Sequence, residues 1–158
     1  MKTSLVSTIR LPESSALSVA QTPHHIFAGL PSGIIRVWRT TTLKHQCDLL
    51  GHSGSVLALL AVTELRKNWL ISASADGTIR LWDSKTLKPL WSIFTPTEGF
   101  GDALSLAYHD NRVVFGFQSS AIMVLQVPIV TEVSLWETTL TWNCAVVGRS
   151  ARRGRQGM

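Results

Sequence analysis

Residues 70–83 read LISASADGTIRLWD. A short apolar run meets Asp76-Gly77, and a second, alternating run ends in Trp82-Asp83. An Asp-Gly pair between two such runs signals a hairpin, because both residues accept the backbone angles of a tight turn. The arrangement recurs. Residues 26–38, IFAGLPSGIIRVW, also place a Gly-containing turn between two strands and close on I-R-V-W. Gly33 and Gly77, Ile35 and Ile79, Arg36 and Arg80, and Trp38 and Trp82 are each 44 apart. A weaker third copy is VVFGFQSSAIMVL, residues 113–125, where Ser119-Ser120 stands in the turn and Leu125 replaces the tryptophan.

Working outward, each copy is preceded by another short strand: SALSVA (15–20), SVLALL (55–60) and DALSLAY (102–108). The first two copies are followed by one more, LKHQCDLL (43–50) and LKPLWSIF (87–94). No apolar stripe of 3.6-residue period stands out; the weak one over 56–66 also reads as a strand. Four short antiparallel strands in about 44 residues is the rhythm of a propeller blade. The expected fold is therefore all-β, with three four-stranded blades over about 15–50, 55–94 and 102–127. Together they make one unit over 4–127, followed by an off-pattern segment, 128–158. The stretch PIVTEVSLWETTLTWNCAVVG, 128–148, with alternation around Val133 and Leu135, is a candidate for the third blade's outermost strand.

GHSGSVLALL followed by LISASADGTIRLWD resembles the WD-repeat family, with Gly51-His52 and Trp82-Asp83 in the family's marker positions. The first copy departs from the pattern, since Arg39 follows Trp38 and Pro12-Glu13 stands where Gly-His would be. The resemblance implies a hydrogen-bond chain inside the central blade: Trp82 to Ser72, Ser72 to His52, His52 to Asp76. Ser74, two residues on and on the same strand face, is the alternative hydroxyl. Buried indole and imidazole groups need such partners, because an unpaired buried polar group costs about 1–3 kcal/mol. These roles are structural. With one full set in the chain, the outer blades are expected to be looser.

Composition limits the function classes. Of 158 residues, 45% are apolar and only 16% charged, enough for a core and less than the usual share of surface charge. Net charge is +5; removing Arg149, Arg152, Arg153 and Arg155 leaves +1, so the basic character sits in the tail. That tail could touch phosphates, with a steep salt dependence lost on deleting 149–158. A solvated end is the favoured reading, and nucleic acid is disfavoured as a partner. Cys47 and Cys144 form no paired motif, so neither a disulfide framework nor a zinc site is expected. No apolar run suits a secretory signal or a membrane span. The simplest expected setting is a reducing one, the cytoplasm.

Candidate sites reduce to ordinary structure. Gly51-His52-Ser53-Gly54-Ser55 approaches a nucleophile elbow but has Ser55 in the fifth position and precedes a strand. Gly99-x-Gly101 lacks the third glycine of a dinucleotide fingerprint. His24-His25 has no second ligand cluster, and neighbouring strand residues face opposite ways, so a loop or strand edge is expected. His45 and His109 are single and expected to be exposed, and Asp102 and Asp110 are no convincing carboxylate pair. Trp136 and Trp142 could serve an interface; Trp69 and Trp91 are better placed to pack between blades. No catalytic residue, metal or cofactor is expected.

A propeller ring needs about four to eight blades, so three imply an open arc. The chain accordingly reads as a fragment, a truncated gene product or a half that needs another chain. Residues 4–11 resemble the outer strand with which the family latches its ring. More narrowly, GDALSLAY and GFQSSAI are similar to the N-terminal propeller of the fungal glutathione-degrading complex. That family pairs a metallopeptidase-like region, absent here, with a glutamine-amidotransferase-type subunit. The resemblance implies a non-catalytic scaffold for other proteins. The alternative is a WD adaptor in ubiquitin ligation, signalling or organelle division.

Overall fold

In a computed structural model, the structure describes residues 7–11, 14–64, 67–95, 100–119, 121–127 and 144–147. Among these there is no helix. Twelve strands form three antiparallel sheets. The first holds β1 (Ser18–Gln21), β2 (His25–Gly29), β3 (Ile35–Arg39) and β4 (His45–Leu49). The second holds β5 (Val56–Val62), β6 (Trp69–Ser74), β7 (Thr78–Asp83) and β8 (Pro89–Phe94). The third holds β9 (Ala103–His109), β10 (Arg112–Phe117), β11 (Ile122–Gln126) and β12 (Cys144–Val147). Each is a simple up-and-down meander, and β5 packs between β1 and β9, so the sheets stand in chain order as an unclosed arc of three propeller blades.

Strand β6 explains why the blades stack. Successive side chains point to opposite faces. Leu70 joins a cluster with Phe27, Ile35, Val37 and Trp82 on the side of the first blade. Ile71 and Ala73 join Val113, Phe115 and Met123 on the side of the third. A strand buried on both faces is apolar throughout, with Ser and Ala where the sheets approach closely. Trp69 and Trp91 pack against the second of these clusters. Below it, Lys67 Nζ lies over the Trp69 ring at 4.7 Å and donates to Tyr108 Oη at 2.6 Å and to Asn111 Oδ1. This contact ties blades two and three.

The 44-residue repeat recurs in backbone detail. Gly33 and Gly77 have φ of 84° and 75°, and Leu43 and Leu87 have φ of 55° and 61°. The leucine N–H groups bond Arg39 O and Asp83 O, both at 2.8 Å, which closes the turn between third and fourth strands in each blade.

Two details differ from the sequence reading, and one follows it. Residues 7–11 form no strand; Ile9 and Leu11 instead pack on Ala28, Leu30 and Trp38, on the face of blade one away from blade two. The third blade does take its fourth strand from the stretch 128–148, at Cys144–Val147; the alternation around Val133 and Leu135 lies outside the described residues. His25 is neither loop nor exposed edge. It opens β2, is 7% exposed, and its Nδ1–H donates to Ser84 O at 2.9 Å in the next blade.

Candidate functional site

The loop between β4 and β5, Gly51 to Ser55, is stitched on both sides. Toward blade one, Ser55 Oγ donates to Pro31 O at 3.1 Å, and Val56 N–H donates to Leu30 O at 3.0 Å. Toward its own blade, Ser74 Oγ donates to Gly54 O at 2.8 Å and Ser53 N–H to Asp76 Oδ2 at 2.9 Å. Close backbone approach is built into this packing. A Cβ on Gly33 would meet His52 O at 2.5 Å, and one on Gly54 would meet Asp76 N at 2.7 Å.

Beneath the loop runs a chain of polar contacts. Trp82 Nε1–H donates to Ser72 Oγ at 2.9 Å. Ser72 Oγ is 2.7 Å from His52 Nε2, and His52 Nδ1 is 3.0 Å from Asp76 Oδ2. Directions follow from the donor inventory: Trp82 can only donate and Asp76 only accept, so Ser72 donates to Nε2 and the imidazole carries its proton on Nδ1. Thr78, unremarked in the sequence, joins the chain. Its hydroxyl donates to Asp76 Oδ1 at 2.6 Å and lies 3.0 Å from His52 Nδ1. Ser74 takes a different part, accepting Asp76 N–H at 3.1 Å within the turn.

The electrostatics favour a neutral ring beside an ionised acid. Burial pushes the His52 imidazole below its usual range; Asp76 opposes this and Arg80 adds to it. Burial would raise the Asp76 carboxyl, but the Thr78 hydroxyl, the Ser53 and Thr78 N–H groups and His52 outweigh it and hold the pKa at about 2.

Asp76, His52 and Ser72 stand in the order that activates a serine nucleophile. Here the order serves structure. Ser72 is 0% exposed and its oxygen already accepts an indole N–H, so no substrate carbonyl can reach it.

The other marker residues divide. Asp83 Oδ1 accepts the N–H groups of Lys85 at 2.8 Å and Thr86 at 2.7 Å, shaping the turn after Trp82. Arg39 holds that place in blade one and supplies no acceptor. Trp38 is buried without the polar chain. His45 is exposed and sits 2.9 Å from Asp48 Oδ1; His109 is exposed. Among the described residues, no three His, Cys, Asp or Glu side chains gather as metal ligands, and no helix is long and apolar enough to cross a membrane. Pro12-Glu13, Gly99, Trp136, Trp142, the Cys144 side chain and the tail arginines lie outside the described residues.

Stacked four-stranded meanders in an open arc define a partial β-propeller. Residues 43–83 match the family described as WD domain, G-beta repeat, so the central blade is a WD repeat. Ribosome biogenesis protein YTM1 of Scheffersomyces stipitis is 34% identical over 90 residues, 57% of this chain and 18% of that protein. The chain thus spans about a fifth of the length of that relative. Two solved propellers share the fold. The Cps50 (Swd1) β-propeller domain of Myceliophteria thermophila has a TM-score of 0.65 at 17% identity, over 90% of this chain and 41% of that one. The RRP9 WD40 repeats give 0.63 at 20% identity, over 72% and 34%. The chain has the architecture of a partial β-propeller, and its central blade matches the WD repeat.

Proposed function

We propose that the chain is a non-catalytic scaffold that holds partner proteins on rigid interblade loops. One observation carries this reading. The polar side chains best arranged for chemistry are buried and paired within the central blade, while the loop above them is pinned to two blades. Fixed loops on a stiff sheet are how such folds present a binding surface.

Two settings compete for the scaffold. Similarity to a ribosome biogenesis protein favours assembly of ribosomal precursors. The segments GDALSLAY and GFQSSAI favour a glutathione-degrading complex with an amidotransferase-type subunit. Cross-linking in cells followed by affinity purification separates them. Enrichment of ribosome-assembly proteins supports the first, and an amidotransferase-type subunit supports the second. Recovery of neither, with the chain folded and monomeric, overturns the scaffold reading.

A further inference from the structure

The repeat supplies an internal control for one arginine. Arg36 and Arg80 hold the same place in blades one and two. Across the strand pair from Arg36 stands Asp48, and the two form a bidentate ion pair, Nε to Oδ1 at 3.0 Å and Nη2 to Oδ2 at 3.1 Å. Across from Arg80 stands Ser92, which offers no charge. Arg80 accordingly makes no side-chain hydrogen bond or ion pair among the described residues, and its Nε is buried without a partner. A guanidinium left in that state is costly, since a buried donor has given up water for nothing.

The surroundings of this cation have the chemistry of a docking site. The guanidinium lies against the Gly51 backbone, where an added Cβ would come within 2.8 Å of Nη1. The residue before that glycine, Leu50, is 70% exposed, and Phe94 is 83% exposed. Phe94 pairs with Thr78, two residues from Arg80 on the same strand face, so its ring stands on the same side of the sheet. An unpaired cation thus shares its face of the central blade with one highly exposed aromatic side chain, Phe94.

We propose that Arg80 and Phe94 form a docking site for a partner-protein segment that presents a carboxylate beside an apolar side chain. The planar guanidinium takes a carboxylate through two parallel hydrogen bonds. Phe94 covers the neighbouring apolar group. The incoming carboxylate gives the outer Nη groups of Arg80 the countercharge that Asp48 gives Arg36. The site rests on the scaffold reading and names the chemistry of its partner.

The test titrates the full chain with N-acetyl-leucine, which carries both groups, and with its uncharged amide, following the Arg80 Nε–H and Gly51 N–H signals by NMR. Saturable shifts with the acid alone are expected, with a Kd of order millimolar for so small a probe. Ser92→Asp, which copies the blade-one ion pair into blade two, should weaken binding at least about tenfold while the fold stays intact. Arg80→Gln should abolish it and Phe94→Ser should weaken it. Equal shifts by acid and amide, no saturable shift, or unchanged binding in Ser92→Asp overturns the proposal. If Arg80→Gln still captures the cellular partner, this site fails while the scaffold reading stands.

Discussion

His52 Nδ1 lies 3.0 Å from Asp76 Oδ2, a contact between residues 24 positions apart. It joins the loop before the central blade to the turn within it. The loop and the turn therefore move together, and everything packed beneath them inherits that constraint.

The first prediction concerns the other end of the chain of contacts. Trp82→Phe keeps a buried aromatic ring and removes the indole N–H, leaving the buried Ser72 Oγ with an unfilled acceptor position. A loss of about 1–3 kcal/mol is expected. Trp38→Phe removes a buried ring that makes no such bond and should cost less. Urea denaturation followed by circular dichroism measures both. Equal costs would mean that ring size, not the hydrogen bond, matters at residue 82.

The second prediction is a two-part loss of stability in acid. The folded Asp76 pKa is depressed from 3.8 to about 2, so the unfolded chain takes up its proton first as pH falls. The stabilisation is complete above 3.8 and disappears as pH drops through about 2. Its size is of order 2 kcal/mol, from about 1.4 kcal/mol per pH unit of difference. His52 is also depressed, from 6.5, so protonation of the unfolded chain begins to weaken the fold below that pH. Thermal midpoints should decline below about pH 6.5 and again below about pH 4, and Asp76→Asn should remove the second decline. A midpoint that stays flat over this range contradicts the assignment.

The third prediction uses the repeat. Asp83 caps the turn after β7 through two backbone N–H groups, and Arg39 leaves the matching turn uncapped. Asp83→Ala should cost about 1–2 kcal/mol, the net worth of two such bonds. Arg39→Asp should gain about 0.5–1 kcal/mol by supplying the missing acceptor. If Arg39→Asp is destabilising, the blade-one turn does not share the blade-two geometry closely enough to use a cap.

The blades were legible because their markers recur at fixed spacing. Gly33 and Gly77 set the turns, and the strands that run into them, β2 and β6, are largely apolar. The stretch that supplies the strand Cys144–Val147 was legible, but its exact place was not, since a long insertion erases the spacing that located its counterparts. Thr78 was also missed. A β-branched residue opening a strand is ordinary, and only the folded blade aims its hydroxyl at His52 and Asp76. His25 reads as a loop or strand edge, while its partner carbonyl on Ser84 lies 59 residues away. Arg80 looked like a repeat of Arg36. The difference lies across the strand pair, at Asp48 and Ser92, and becomes visible only once register is known.

The last prediction separates two glycines that share one repeat position. Gly29, Ala73 and Gly116 stand at matching places in the second strands of the three blades. Ala73 shows that blade two accepts a Cβ there, at 1% exposure. A Cβ on Gly29 would meet Val56 Cγ1 at 2.7 Å and the Val56 carbonyl oxygen at 2.8 Å. The second contact is backbone and cannot turn aside, so blades one and two must part. A Cβ on Gly116 crowds chiefly the Ser105 hydroxyl, which can rotate away. Gly29→Ala should therefore cost about 1–3 kcal/mol, the usual range for overpacking, and Gly116→Ala clearly less. Comparing their urea midpoints tests the spacing of the two blade pairs. A Gly116→Ala chain as unstable as Gly29→Ala would show that blade three is held as tightly at this point as blade one.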